Sequence, residues 1–160
     1  MQHEITSPGP LLDENGNLRE PGFAKRLLPE YSRNTIRAPK WRIKEWDYYL
    51  VSNGRFALAL TIDDNGYMGL DSVSLLDLEA GWEITKSPMS ALPLGKIHLP
   101  ETSAAGDVQH SGRGCSLYFK NDGSGVRELY VHMDKFGHLG GIEGRIKLTD
   151  PPEDSMVIAT

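Results

Sequence analysis

The fold is decided by residues 46–62, which read Trp46-Asp47-Tyr48-Tyr49-Leu50-Val51-Ser52-Asn53-Gly54-Arg55-Phe56-Ala57-Leu58-Ala59-Leu60-Thr61-Ile62. The first six are rich in aromatic and β-branched side chains, which fit a pleated, half-buried surface. Asn53-Gly54 then supplies the strongest short hairpin signal, because both residue types tolerate the positive φ that a tight reversal needs. The return run alternates. Phe56, Leu58, Leu60 and Ile62 face one way, and Ala57, Ala59 and Thr61 the other, at the period of a strand with one face on a core.

The same grammar continues toward the C-terminus. Asp63-Asp64-Asn65-Gly66 is a turn, and Tyr67–Leu78 and Trp82–Ser87 are strands broken by Ala80-Gly81. Residues 88–107 read as a loop holding one short strand around Leu92–Leu99. Gln109–Lys120 places Cys115, Leu117 and Phe119 on one face, and Asn121–Gly125 is a turn. Val126–Asp134 alternates Leu129, Val131 and Met133 against Glu128, Tyr130, His132 and Asp134. In Leu139–Thr149, Ile142, Ile146 and Leu148 share a face with Gly144, and Pro151-Pro152 closes the unit. Many short strands without long helices predict an all-β antiparallel domain over residues 41–160, a barrel or a strongly curved sheet. Residues 155–160 read as one more strand, belonging to a chain that continues or pairing with the first strand to close a barrel.

Residues 1–40 are different. Five prolines and no sustained period predict an irregular arm, with turns at Glu14-Asn15-Gly16 and Pro21-Gly22 and one helical turn around Phe23–Leu28. Residues 19–44 carry eight basic and two acidic side chains, a charge of +6 in a chain whose net charge is −5, so the rest carries −11. The arm therefore reads as a basic strap on an acidic body. A pI of 5.5 speaks against a dedicated nucleic-acid binder, whose affinity rests on phosphate contacts.

Length and composition bound the class. The 160 residues suffice for one domain with a sizeable core, and 17 glycines with 10 prolines suit a turn-rich β protein. No apolar run approaches the roughly 20 residues of a membrane helix, so no membrane span is expected. The polar start Met1-Gln2-His3-Glu4 has no signal-peptide pattern. A single cysteine, Cys115, forms no intramolecular disulfide and suits a reducing, cytoplasmic setting; on an apolar strand face it reads as a small buried hydrophobe. The five histidines lack metal-ligand spacing, Asp13–Asn17 lacks the glycine and glutamate of a calcium loop, and Gly112-Arg113-Gly114 is no dinucleotide loop. No metal site and no cofactor are expected.

The richest polar pattern is Glu128, Tyr130, His132 and Asp134, successive side chains about 7 Å apart on one strand face. Turned outward, they are a solvated sheet face. Turned into a barrel, they are proton donors beside an apolar cavity, where burial raises Glu128 or Asp134 into the range of a general acid. Trp46 and Tyr48 share a face of their strand, as core filler or as a stacking surface for a flat or polyene ligand.

The opening Glu4–Leu11, with Gly16-Asn17-Leu18, Gly22-Phe23-Ala24 and above all Lys44-Glu45-Trp46-Asp47-Tyr48-Tyr49, resembles the N-terminal part of the bacterial family called domain of unknown function 2804. The resemblance spans roughly residues 3–150. It implies a lipocalin-like fold similar to the AttH-like, hydroxyneurosporene synthase and tocopherol cyclase group, and a first β-domain of two in a longer protein. It also implies a barrel holding an isoprenoid- or lipid-like apolar small molecule. By the same analogy Trp41 or Trp46 plugs the closed end of the barrel and stacks on Arg145.

Three functions follow as alternatives. The first is a binding module for an apolar molecule, partnered by a second lipocalin-like domain or another copy of the chain. The second is part of an acid-catalysed hydratase or cyclase, with Asp134, His132 or Glu128 donating a proton and Trp46, Tyr48 and Tyr130 stabilising a carbocation. The third is a structural or self-association domain with a filled core. What lies between the sheets discriminates them.

Overall fold

The computed structural model describes residues 3–149 and 154–160; Met1-Gln2 and the stop at Pro151-Pro152 lie outside them. The arm contains short strands. β1 (Gly9–Pro10) runs parallel to β3 (Pro29–Glu30), and β2 (Gly22–Ala24) occupies the start of the segment expected as a helical turn. Its backbone hydrogen bonds go to other strands, and Pro29 forbids a longer helix.

Two larger antiparallel sheets follow. The first orders β4 (Glu45–Ser52), β5 (Phe56–Asp64), β6 (Met68–Asp77) and β7 (Trp82–Lys86), with β8 (Met89–Ala91) also on β6. β7 and β8 form one strand interrupted at Ser87-Pro88. Val73 faces Lys86 and Leu70 faces Met89 in a single unbroken register. Pro88 has no N–H to give the ladder, yet its carbonyl still accepts from Asp71 at 3.1 Å. Beyond β8, residues 92–107 form no strand; the strand expected around Leu92–Leu99 falls just before them.

The second sheet is a meander of β9 (Val108–Gly112), β10 (Cys115–Asn121), β11 (Arg127–Met133) and β12 (Ile142–Leu148). The run expected as one strand over Gln109–Lys120 is thus a hairpin. Arg113 and Gly114 both have positive φ, 51° and 73°, the two-residue reversal whose twist matches the flanking strands. At Asn53-Gly54 the expected hairpin forms through the three-residue loop Asn53-Gly54-Arg55, closed by the Asn53 side chain accepting from the Phe56 N–H at 2.8 Å.

The sheets pack face to face rather than close into a barrel, which corrects the barrel expectation. Leu60, Ile62 and Val73 from the first meet Leu117, Phe119 and Leu129 from the second, all at most 1% exposed. Ile97 and Phe136 fill from the loops. The inner faces are satisfied by each other, so side chains occupy the space a barrel would leave for ligand. β4 and β12 remain as unpaired edges on one side of the sandwich.

The final strand, β13 (Val157–Ala159), does not join this sandwich. It pairs antiparallel with β2 and builds a second small core of Ile5, Ala24 and Ala159, flanked by Leu11, Leu18, Leu28 and Val157. The arm is fastened to the sandwich at Glu45, which accepts from the Tyr31 hydroxyl and the Arg33 guanidinium, and at Glu101, which accepts from Ser32 Oγ at 3.0 Å and the Arg33 N–H at 2.8 Å. No helix of the described residues is long and apolar enough to cross a membrane.

Candidate functional site

The row Glu128, Tyr130, His132 and Asp134 lies on the outer face of the second sheet, because Leu129, Val131 and Met133 take the core face of β11. Tyr130 donates to Glu128 at 2.7 Å, and Arg145 on β12 pairs with the same carboxylate at 2.8 Å. These two contacts hold Glu128 below the usual carboxylate range. Of the two expected arrangements, the row takes the outward one, with Glu128 partly covered and its carboxylate stabilised as the anion. His132 lies 3.0 Å from Asp134 on the exposed surface.

Arg145 stacks on Tyr130, its guanidinium carbon 5.1 Å from the ring centre, and Tyr118 stacks on the other aromatic flank at 5.6 Å. Neither expected tryptophan partner is there. Trp41 sits in the exposed single turn Lys40–Arg42, and Trp46 lies on the outer face of the opposite sheet. The sandwich thus separates Trp46 and Tyr48 from Tyr130, Glu128 and His132, and the constellation expected around a carbocation is not assembled.

What Trp46 and Tyr48 do share is a surface. Strand pairing puts Trp46, Tyr48 and Leu50 of β4 on one outer face with Ala57, Ala59 and Thr61 of β5, Leu70 and Leu76 of β6, and Met89 of β8. The β4 side chains stand out, at 60%, 54% and 58% exposure, and Met89 does so on the far flank. Beside them Ala57 and Ala59 are buried. Ser72 and Ser74 of β6 and Thr85 of β7 lie on the same face, and among the described residues its acidic members are Asp63 and Glu83. Burial and the neighbouring Asp64 push Asp63 up to about 6, with Lys44 and the Asn65 N–H acting the other way.

At the open seam between β4 and β12 lies a second feature, a cleft of about 550 Å³ lined by Asp47, Tyr48, Tyr49, Arg127, Lys147 and Leu148. Tyr49 forms its inner wall and meets Phe119 edge-on with ring centres 5.0 Å apart. Burial raises the Asp47 carboxyl and the nearby Arg127 opposes the rise. Arg127 donates to the Ser103 carbonyl at 2.9 Å.

Between the sheets, Asp71 and His110 form a buried polar contact beside Cys115. Burial, reinforced by the Asp71 charge, pushes the Cys115 thiol up to about 12, which removes it as a nucleophile. Among the described residues, no group of three or more His, Cys, Asp or Glu side chains is arranged to hold a metal ion.

Sequence reasoning missed the grouping of Asp47, Tyr49 and Arg127, which lie on two strands and meet only because the sandwich stays open at one side. Asp71 carried a signal: a lone acidic residue at an inward position of an alternating run requires a partner across the core. No curated protein and no solved structure matches the chain. A family model described as Domain of unknown function (DUF2804) matches residues 2–160, and the chain belongs to that family.

Proposed function

We propose that this chain is an association module, the outer face of its first sheet packing against the same face of a second copy. The observation that carries the reading is the exposed row Trp46, Tyr48 and Leu50 on the edge strand β4 beside the small side chains Ala57, Ala59 and Thr61 of β5. A two-fold axis lays each copy's row over the other copy's small β5 side chains, as a self-complementary interface requires. Aromatic anchors are the usual energetic centre of such contact.

The filled interior favours this reading over a lipocalin-like pocket at the centre of the domain. Two antiparallel meanders in succession, β4 to β7 and β9 to β12, are in keeping with a lipocalin-like ancestry whose barrel has opened. The acid-catalysed reading is weakened by Glu128, whose carboxylate Tyr130 and Arg145 hold as the anion. A reducing, cytoplasmic setting suits the buried thiol.

Sedimentation equilibrium at micromolar concentration tests the proposal. The wild type is expected to be a dimer, and the double variant Trp46→Ser, Leu50→Ser a folded monomer by circular dichroism. A wild type that stays monomeric across the range defeats the reading.

A further inference from the structure

The open edge of β4 presents a row of main-chain groups without partners among the described residues. The Asn53 N–H donates to the Phe56 carbonyl at 3.0 Å, which makes these two a hydrogen-bonded pair at the end of the hairpin. In an antiparallel ladder such pairs alternate with pairs whose groups point away. Counted back along the register, Val51, Tyr49 and Asp47 spend their main-chain groups on β5, and Leu50, Tyr48 and Trp46 aim theirs at the open edge. Among the described residues no other segment takes a main-chain hydrogen bond from these three. An unpaired edge is a template for one more strand, and proteins usually blunt it. The other edges of the sandwich are blunted. β7 and β8 break at Ser87-Pro88, β9 is short and ends in Gly112, and β12 carries Gly144, Arg145 and Lys147. β4 has eight residues and no glycine, proline or lysine.

A groove follows this edge. The cleft of about 550 Å³ beside Asp47, Tyr48 and Tyr49 shares Asp47 with a second cavity of about 320 Å³, which continues along Trp46 and Glu45 and is walled by Tyr31, Leu99 and Pro100. We infer that the β4 edge and its groove bind one extended segment of another polypeptide, added to the first sheet as a further strand. A polypeptide main chain offers donors and acceptors at the spacing of Trp46, Tyr48 and Leu50, and the edge recognises it through them. Side chains of the added strand opposite those three residues stand on the outer face, and those opposite Asp47 and Tyr49 enter the groove. There Tyr49 and Leu148 present apolar surface and Arg127 offsets Asp47, so the groove takes apolar, β-branched side chains in preference to charged ones. A second copy's β4 fits this edge less well. A two-fold axis through the edge places both copies' walls on the same side of the joined sheet, where they crowd one another, whereas a single segment brings no wall of its own. The site is the edge of β4 and not its outer face, so it does not depend on the association proposed above.

Titration of the full chain with the capped peptide Lys-Thr-Val-Thr-Val-Thr-Lys, followed by amide chemical shifts, is the test. Its threonines align with Trp46, Tyr48 and Leu50 and its valines with Asp47 and Tyr49. Binding is expected, with shifts centred on β4 and the groove. N-methylation of the central peptide residues removes their donors and keeps their side chains, and is expected to weaken binding at least about tenfold. Replacing both valines of the peptide by aspartate is expected to do the same. Tyr48→Pro removes one donor from the open edge and leaves the ladder to β5 intact, and is expected to lose most of the binding. If that variant does not fold, the comparison of the peptides on the wild type decides. Thr61→Arg, on the outer face of β5, is expected to break the face contact between copies and to bind the peptide as the wild type does, which separates a failure of either proposal from the other. No binding, equal binding of either altered peptide, or shifts elsewhere overturns the inference. So do shifts of the Trp46, Tyr48 and Leu50 amides with protein concentration alone in Thr61→Arg, which make a second copy the occupant.

Discussion

Asp71 on β6 and His110 on β9 meet between the two sheets, both carboxylate oxygens lying 2.8–2.9 Å from Nδ1 of the imidazole. Asp71 is nearly inaccessible and His110 is about a quarter exposed. Strand register alone does not hold one sheet over the other, and this contact ties them at a fixed point. Burial raises the Asp71 carboxyl and the histidine pulls it back. Replacing His110 with Ala is therefore expected to cost about 2 kcal/mol near neutral pH, from an acceptor left buried without a donor. The loss shrinks as acid protonates Asp71. Urea unfolding of both proteins at pH 7 and pH 4.5 checks this, and an equal loss at both values contradicts it.

Phe119 is 1% exposed and meets Tyr49 edge-on. Phe119→Ala is expected to destabilise by about 3–5 kcal/mol, the range for deleting a buried aromatic ring. A double-mutant cycle with Tyr49→Ala is expected to show coupling of about 1 kcal/mol. Chemical denaturation of the four proteins gives both quantities.

Asp63 has a carboxyl raised to about 6 from the 3.8 of an unperturbed group. The folded state thus holds this proton more tightly than the unfolded state. Its stabilising contribution is full below about pH 4 and is lost as pH rises through about 6. Asp63→Asn is expected to raise the melting temperature at pH 7.5 and to leave it nearly unchanged at pH 4. Scanning calorimetry at the two values decides the sign.

Glu45 holds Tyr31 and Arg33 of the arm against β4, with its side chain 12% exposed. Arg33→Ala is expected to lower stability by about 2 kcal/mol, since a largely buried carboxylate loses its cation. Removal of residues 1–39 is expected to cost more, because β2 and the small core around Ile5 and Ala24 go with them. Thermal melts that coincide with the wild type contradict both.

Cys115 is buried, with its thiol pushed to about 12. Native protein is expected to resist iodoacetamide at pH 8 and to react fully in denaturant, which mass spectrometry of the intact chain reads directly.

The alternation of residues 46–62 carried its own strands, faces and reversal, since period two is a local property and Asn-Gly a local chemistry. The inward positions of β10 and β11 were equally readable from Leu117, Phe119, Leu129 and Val131. The pairing partners were not. Gly112-Arg113-Gly114 hid a hairpin because arginine seldom takes positive φ, and only the strands around it force it there. Whether Glu128 faced solvent or cavity depended on sheet closure, which rests on long-range packing that no single strand encodes. Val157–Ala159 read as a strand, but its partner lay far back in the arm, at a separation that periodicity does not span.

That pairing of β13 with β2 has a consequence for how the protein is made. Residues 22–24 are made long before residues 157–159, so the small sheet lacks a strand until the latter follow. Within each sandwich sheet most strands pair with their neighbours in sequence and can assemble as they are synthesised. The loop closed by β2 and β13 contains the whole sandwich, and its entropy is met last.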